Sequence, residues 1–293
     1  MEQNLLFGGV TGVEIRPFRS QLLKWVGNKQ RFAHEIVSYF PSDIGTYFEP
    51  FLGSGAVLGT LQAPRAVGGD RFTPLMEIWK ALKAQPDVLK EWYHERWDAV
   101  RAATKEQVFE RVKGSYNARP NGADLLFICR ACYGGVVRFR KADGFISTPC
   151  GIHSPMPPSK FNERVDEWHK RTRGAAFVCA DFQEVMREAK AGDLVYCDPP
   201  YTDSQSILYG AQSFGVKRLF RVIDDCKRRG VRVALSIDGT KKSGDKLCDV
   251  PIPDYLFARE VYVNCGRSML KRFQMGGRAL TREVVHDRLL LTY

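Results

Sequence analysis

The feature that most constrains the fold is a short apolar run that stops at two prolines. Residues 194–197 read Leu-Val-Tyr-Cys, and Asp198-Pro-Pro-Tyr201 follows directly. The run predicts a buried strand. Because Pro199 and Pro200 have a fixed φ and no N–H, the strand must end there. In open α/β sheets, ligands bind in the crevice beyond the carboxyl ends of the strands. The sequence therefore places a carboxylate, a carbonyl and an aromatic ring at a ligand-binding edge.

This group suits the alkylation of an exocyclic amine on a nucleobase. The Asp198 carboxylate and the Pro199 carbonyl can accept hydrogen bonds from the amine, which favours a tetrahedral, nucleophilic nitrogen. Tyr201 can stack on the base and hold it. Asp-Pro and Pro-Pro also form ordinary turns, so the tetrapeptide alone leaves a plain strand-to-turn junction open.

The charge of the chain indicates the partner. The 293 residues fit one large domain, or one domain with an insertion, and carry a formal net charge of +11. Such an excess favours a polyanion. No apolar run reaches the roughly 18 residues of a membrane span, and no secretory leader is recognisable. We therefore expect a nucleic-acid partner, no membrane and a cytoplasmic location.

The eight cysteines form no regular framework, and we expect them to be reduced. Cys129-x2-Cys132 and Cys150-x2-His153 have the spacing of zinc ligands. Residues 125–132 are apolar enough to form a buried helix, in which cysteine behaves as a small hydrophobe. We favour the helix and assign no metal ligand; the spacing alone leaves a zinc site open.

A glycine loop marks a second ligand-binding element. Residues 47–55 read Tyr-Phe-Glu-Pro-Phe-Leu-Gly-Ser-Gly, so a strand that ends at Glu49 leads through Gly53 and Gly55 into a helix. The next strand ends at Asp70, where a carboxylate typically binds a ribose diol. The loop is not G-x-G-x-x-G and has no phosphate-binding lysine. These features suit an unphosphorylated nucleoside such as S-adenosylmethionine.

Taken together, four motifs resemble those of Dam-type DNA adenine-N6 methyltransferases, the D12 class of the alpha group. The motifs are Lys24-Trp-Val-Gly-Asn-Lys29, Glu49-Pro-Phe-Leu-Gly-Ser-Gly55, Asp70 and Asp198-Pro-Pro-Tyr201, in this order. The resemblance runs from about Leu22 to the C-terminus. The chain departs from the family pattern at Asn28, where glycine is usual and where we expect a left-handed turn. It also departs at residues 236–240, to which we assign no role.

The resemblance implies a doubly wound, Rossmann-like α/β sheet and a mostly helical target-recognition insertion that carries a β-hairpin. Residues 22–72 and 175–293 would form the S-adenosylmethionine-dependent catalytic domain. Residues 73–174 would form the target-recognition domain. Residues 1–21 have no clear periodicity, and we expect a surface arm.

The resemblance also assigns site residues. The catalytic residues would be Asp198, Pro199, Pro200 and Tyr201. Phe51 and Phe182 would sandwich the adenine of the cofactor. The full set of expected cofactor contacts is Trp25, Lys29, Glu49, Phe51, Gly53, Gly55, Asp70, Asp181, Phe182 and Asp198.

Basic residues alternate with apolar ones before Asp143-Gly144, which predicts a hairpin that can enter a major groove. By resemblance, Tyr133 would wedge into the base stack and Arg138 would read a base. Arg138, Arg140 and Lys141 could instead form a solvated or phosphate-contacting face. A second basic segment predicts phosphate contacts, at Arg267, Lys271, Arg272 and Arg278.

The sequence thus predicts a site-specific methyltransferase that acts on N6 of a flipped-out adenine in double-stranded DNA. We expect a monomer encoded by a bacterium or phage, with a restriction endonuclease of the same system as a candidate partner. Cytosine N4 or an RNA adenine remains an alternative acceptor on the same scaffold. A catalytically inactive nucleic-acid-binding protein is disfavoured because all the motifs are intact.

Overall fold

The structure is a computed structural model that describes residues 15–200, 215–238, 240–241, 246–247, 252–266 and 285–293. Its strands are β1 (Tyr47–Glu49), β2 (Ala66–Asp70), β3 (Ala175–Cys179), β4 (Leu194–Cys197), β5 (Arg232–Asp238), β6 (Thr240–Lys241), β7 (Lys246–Leu247), β8 (Arg259–Gly266) and β9 (Val285–Leu291). Its α-helices are α1 (Ala33–Ser38), α2 (Ala56–Leu61), α3 (Thr73–Ala84), α4 (Pro86–Ala102), α5 (Lys105–Ala118), α6 (Gly122–Ala131), α7 (Pro158–Arg171), α8 (Phe182–Arg187) and α9 (Val216–Arg228).

The main sheet has seven strands in the order β3-β2-β1-β4-β5-β9-β8. The first five of these are parallel, and β9 is antiparallel to both of its neighbours. The strand order reverses between β1 and β4, which are hydrogen-bonded neighbours. In doubly wound sheets, the ligand crevice lies at this switch point. The predicted fold class is therefore confirmed, and Glu49 and Asp198 end adjacent strands at the expected edge.

Helices α3 to α7 and a hairpin lie between β2 and β3 in the chain. Helix α3 packs against both of those strands, whereas α4 packs mainly against α6 and α7. The Tyr93 and Phe161 rings stack in the interior of this helical region, with centroids 4.2 Å apart. In the described part of the chain, no helix has the length and apolar character needed to span a membrane.

The predicted surface arm is anchored by a buried side chain in the part that the structure describes. Phe18 is only 4% exposed, and its ring lies 5.2 Å from that of Trp168 in α7. The Arg171 guanidinium lies over the Phe18 ring at 3.6 Å, and the Trp168 indole N–H donates to the Ser20 carbonyl. The burial of this aromatic side chain fixes residues 15–20 on the helical region. Residues 1–14 lie outside the described part.

The cysteines that have zinc-ligand spacing lie in an apolar environment. Cys129 is fully buried in α6, and burial raises the pKa of its thiol. Burial likewise raises the pKa of Cys132 to about 12. Metals bind the thiolate rather than the thiol, so this environment disfavours ligation. Among the described residues, no group of three or more His, Cys, Asp or Glu side chains is arranged to hold a metal ion.

Two glycines show why the loop between β1 and α2 needs this sequence. Gly53 and Gly55 have φ values of +45° and +61°, a region that L-residues with a Cβ rarely adopt. A Cβ on Gly55 would also lie 2.8 Å from the Trp79 ring of α3. The turn and the close approach of α3 to the sheet therefore both depend on Gly55.

We expect Gly55→Ala to lower the free energy of unfolding by about 2–4 kcal/mol, from the unfavourable φ and the clash with Trp79. Gly114→Ala is the matched control, because Gly114 is a helical glycine whose added Cβ would meet nothing within 4 Å. That change should stabilise the protein by about 0.5–1 kcal/mol. Urea unfolding of both variants measures the effects, and equal stabilities would contradict the packing argument.

Candidate active site

A cavity of ≈ 450 Å³ lies at the carboxyl ends of β1, β2 and β4. This volume is within the usual range for sites that bind small molecules and cofactors. Most of the cofactor and catalytic residues expected from the sequence line it, namely Trp25, Lys29, Glu49, Phe51, Gly53, Asp70, Asp181, Phe182, Asp198 and Pro200.

Lys29 lies at the centre of the charge arrangement. Its ammonium Nζ lies 3.0 Å from Asp198 Oδ1 and 3.2 Å from Asp287 Oδ2, and the lysine is only 5% exposed. Burial alone would lower the pKa of Lys29, but the two carboxylates outweigh it and hold the pKa well above its ordinary value. Lys29 therefore remains charged and fixes Asp198 at the end of β4. Asp287 belongs to none of the motifs found in the sequence.

The loop that carries Lys29 turns in a different way from the expectation. Asn28 is not left-handed; the preceding Gly27 has the positive φ, at +76°. The Asn28 side chain instead accepts a hydrogen bond of 2.7 Å from the Gln30 N–H. A short amide side chain thus closes the turn itself.

Glu49 ends β1 beside this charge pair. It is 3% exposed and accepts a hydrogen bond of 2.7 Å from the Tyr47 hydroxyl. Burial raises the pKa of Glu49 to about 8. Glu49 is therefore mostly protonated at neutral pH and adds little negative charge next to Asp198.

Asp70 has the geometry of a diol acceptor. The backbone N–H of Gly53 donates to its Oδ2 at 3.2 Å, and that of Phe72 donates to its Oδ1 at 3.0 Å. These two bonds orient the carboxylate. A Cβ on Gly53 would lie 3.2 Å from the Trp25 indole, so glycine lets the loop approach that ring closely. An oriented acid with aromatic neighbours fits the ribose end of S-adenosylmethionine.

Phe51 and Phe182 contact each other directly. Their ring centroids are 5.2 Å apart and the planes are 25° from parallel. A base between two rings needs a separation of about 7 Å, twice the normal contact distance. In this arrangement the pair forms one aromatic wall, and the expected sandwich would require the rings to separate.

Arg218 is a cavity residue that the sequence did not reveal. Its guanidinium lies 2.6 Å from Asp181 Oδ1 and covers the Phe182 ring at 4.7 Å. Asp181 also accepts the N–H of Gln183 and thereby caps α8. The carboxylate predicted to contact the cofactor is thus already held by an arginine and a helix N-terminus.

Gly55 does not lie on the cavity wall. It was expected among the cofactor contacts, but its role in the structure is the turn against Trp79. Sequence spacing cannot separate these roles, because both require a glycine.

The predicted hairpin is present and borders the same cavity. Residues 136–140 and 145–149 run antiparallel, with Phe139 opposite Ile146 and a hydrogen bond of 2.8 Å from the Arg140 N–H to the Phe145 carbonyl. The segment before it, Tyr133–Gly135, forms a 3₁₀ turn. Phe139 and Gly144 line the cavity together with Tyr116 and Pro120. The insertion thus closes one side of the cavity.

The expected DNA-contacting residues differ in their surroundings. Arg140 pairs with Asp143 and lies over the Phe145 ring, so its guanidinium is held by the hairpin. Arg138 and Lys141 are exposed, and Tyr133 is 36% exposed. Tyr201, Arg267, Lys271, Arg272 and Arg278 lie outside the described residues.

The sequence pattern of the D12 class N6 adenine-specific DNA methyltransferases matches residues 25–271. The chain belongs to this family. Methyltransferases of this kind use S-adenosylmethionine as the methyl donor, and extrusion of the target base is general to the family.

Three relatives illustrate the similarity. The chain is 26% identical over 291 residues to the DNA N-6-adenine-methyltransferase of Escherichia phage P1. The matched region covers 93% of this chain and 35% of the phage protein. It is 26% identical to a DNA adenine methylase of Vibrio cholerae, over 73% of this chain and 79% of that protein. It is 25% identical to the Type II methyltransferase M1.LlaDCHI of Lactococcus lactis, over 76% and 81% respectively. The chain therefore spans about a third of the phage protein and most of the other two.

Proposed function

We propose that this chain transfers a methyl group from S-adenosylmethionine to N6 of an adenine that is flipped out of double-stranded DNA. The observation that carries the proposal is the Asp198 carboxylate, held at 3.0 Å by buried Lys29 on the wall of a cavity that reaches from Asp70 to the hairpin. One continuous space can thus receive a nucleoside donor and a target base. In this proposal, residues 22–72 and 175–293 form the catalytic domain, and residues 73–174 form the target-recognition domain. Helix α3 of the target-recognition domain also packs on the sheet.

The donor site uses charge and aromatic surface. Asp70 accepts the ribose hydroxyls, and Trp25, Phe51 and Phe182 provide apolar walls for the adenine. S-adenosylmethionine supplies an electrophilic methyl group on a positively charged sulfonium. The Asp198 carboxylate on the cavity wall favours such a cation at that end of the cavity.

The acceptor site works by positioning. The Asp198 carboxylate and the Pro199 carbonyl accept hydrogen bonds from the N–H groups of the target amine, and Pro200 keeps the turn rigid. Tyr201 stacks on the base. Holding the nitrogen in line with the methyl group removes the entropic cost of bringing the reactants together.

DNA binding uses the hairpin and the net charge of +11. Tyr133 occupies the gap in the base stack, and unstacking costs a few kcal/mol. Arg138 reads a base. Arg140, Lys141 and the basic residues at 267, 271, 272 and 278 contact phosphates, while Arg140 also keeps the hairpin turn closed through Asp143. We propose a monomer that acts on DNA in the cytoplasm. A restriction endonuclease is a candidate partner, since one relative is named a Type II methyltransferase.

Nucleoside analysis tests the acceptor. The protein is incubated with labelled S-adenosylmethionine and either duplex DNA or RNA, and the digested products are separated. N6-methyladenine in DNA supports the proposal. N4-methylcytosine, label in RNA alone or no label at all would each overturn it.

We expect Asp70→Ala to weaken S-adenosylmethionine binding about 10- to 100-fold, because it removes a charge-assisted hydrogen-bond acceptor. Calorimetry without DNA measures the Kd. Asp87→Asn, at an exposed carboxylate on α4, is the control and should leave the Kd unchanged. An unchanged Kd in Asp70→Ala would disprove the diol assignment.

Asp198→Ala should slow single-turnover methyl transfer about 100-fold or more, because it removes a preorganised acceptor at the reacting amine. DNA affinity should change little, since phosphate contacts supply most of it. Donor affinity is measured in parallel, because Asp198 also faces the donor. A transfer rate within tenfold of the parent would refute the role of Asp198.

Arg138→Ala distinguishes base reading from phosphate contact. A base-reading arginine contributes about 1–3 kcal/mol of discrimination at one base pair. We expect the variant to lose its preference at that pair and to change little on non-cognate sites. Lys141→Ala is the comparison and should weaken binding to all sequences alike. Methylation rates on the mapped site and its single-base variants provide the test, and uniform losses in Arg138→Ala would assign it to the DNA backbone.

A further inference from the structure

Lys29 contacts a carboxylate that lies far from every motif. Asp287 is on β9, and its Oδ2 lies 3.2 Å from Lys29 Nζ. Its side chain is only 12% exposed. It is absent from the residues that line the cavity, so its contact with the site passes through Lys29.

The sheet topology explains how this contact arises. Asp198 follows β4, and Asp287 lies on β9, with β5 between these two strands. Strands β4 and β9 are therefore two inter-strand spacings apart, about 10 Å. Because β9 is antiparallel, its beginning lies at the same edge of the sheet as the carboxyl ends of the parallel strands. The Lys29 ammonium contacts both carboxylates.

A lysine held at both sides has less freedom than one in a single ion pair. The side chain of lysine has four rotatable carbon–carbon bonds and loses rotamer entropy when it is fixed. This restraint also limits the movement of the Asp198 carboxylate, because the ammonium that contacts its Oδ1 is itself fixed. Without the Asp287 carboxylate, the Lys29 ammonium could move together with Asp198 or away from it.

We propose that Asp287 is a positioning residue for methyl transfer, which holds the Lys29 ammonium so that Lys29 holds the Asp198 carboxylate against the target amine. This inference rests on the proposed function, and it adds a residue outside the recognised motifs. Asp287 acts through Lys29 and contacts neither the donor nor the base.

The proposal predicts a change in pH dependence. Among the described residues, the titratable groups that face Lys29 include Tyr196 of β4, Asp198 directly after β4 and Asp287 of β9, while Glu49 of β1 faces Asp198. Both aspartates raise the pKa of Lys29, so removal of either charge lets the ammonium lose its proton at lower pH. In Asp287→Asn, the midpoint of the Lys29 titration should therefore move to lower pH.

The test compares Asp287→Asn, which keeps the shape and removes the charge, with Asp287→Glu, which keeps the charge. We expect the asparagine variant to lower the single-turnover rate about 10- to 100-fold, the size of a positioning effect. Its Kd for S-adenosylmethionine should stay within about threefold of the parent, because Asp287 does not line the cavity. The glutamate variant should recover part of the rate. Glu260→Gln is the control: it breaks the Glu260–Arg288 pair between β8 and β9 and should leave the rate unchanged.

Thermal melts and an NMR titration of ¹³Cε-labelled lysine accompany the rates. A parental rate in Asp287→Asn would overturn the proposal. A lower rate with an unshifted midpoint of the Lys29 titration and a lower Tm would also overturn it, because the role would then be structural. If the parent itself methylates no adenine, the proposed function fails. The titration of Lys29 then tests the contact between Asp287 and Lys29 independently of methyl transfer. A lower midpoint in Asp287→Asn than in the parent supports the view that Asp287 holds the Lys29 ammonium, and an equal midpoint excludes this view.

Discussion

The site depends on keeping one buried lysine charged. An unpaired ammonium in a protein interior costs several kcal/mol, so Lys29 is compatible with the fold only if carboxylates approach it. Asp198 and Asp287 provide them from two strands of one sheet edge. Glu49, at the end of the adjacent strand, has a pKa of about 8 and stays mostly neutral. The sheet order thus sets the charge of the site, and the loop before α1 supplies the cation.

The donor and recognition parts of the site share an aromatic contact. Phe72, two residues after β2, contacts the Trp25 ring at 6.2 Å and the Phe139 ring of the hairpin at 5.7 Å. Trp25 packs against the glycine loop, while Phe139 belongs to the insertion. The wall of the proposed donor site is therefore in contact with the hairpin that we propose reads DNA. This packing explains why the hairpin of the insertion borders the cavity although it is distant in sequence from Trp25 and Phe72.

The sequence predicts best where a local rule specifies the structure. The prolines at 199 and 200 end β4, and the glycine loop precedes α2, so Asp198 and Asp70 could be placed at one sheet edge. Asp287 could not be found in this way, because it lies on an ordinary strand and meets Lys29 only through the strand order. The role of Gly55 against Trp79 and the burial of Phe18 also depend on distant partners. The Phe51–Phe182 contact shows that a sequence can indicate which rings lie together without specifying their spacing.

The most direct test of the account is a crystal structure of the protein with a non-transferable analogue of S-adenosylmethionine and a duplex that contains the mapped site. The account predicts an extrahelical adenine whose N6 lies within hydrogen-bond distance of the Asp198 carboxylate and the Pro199 carbonyl. Lys29 should still contact both Asp198 and Asp287. A target adenine that remains stacked in the duplex, or an N6 that contacts other groups while Lys29 leaves Asp198, would contradict it.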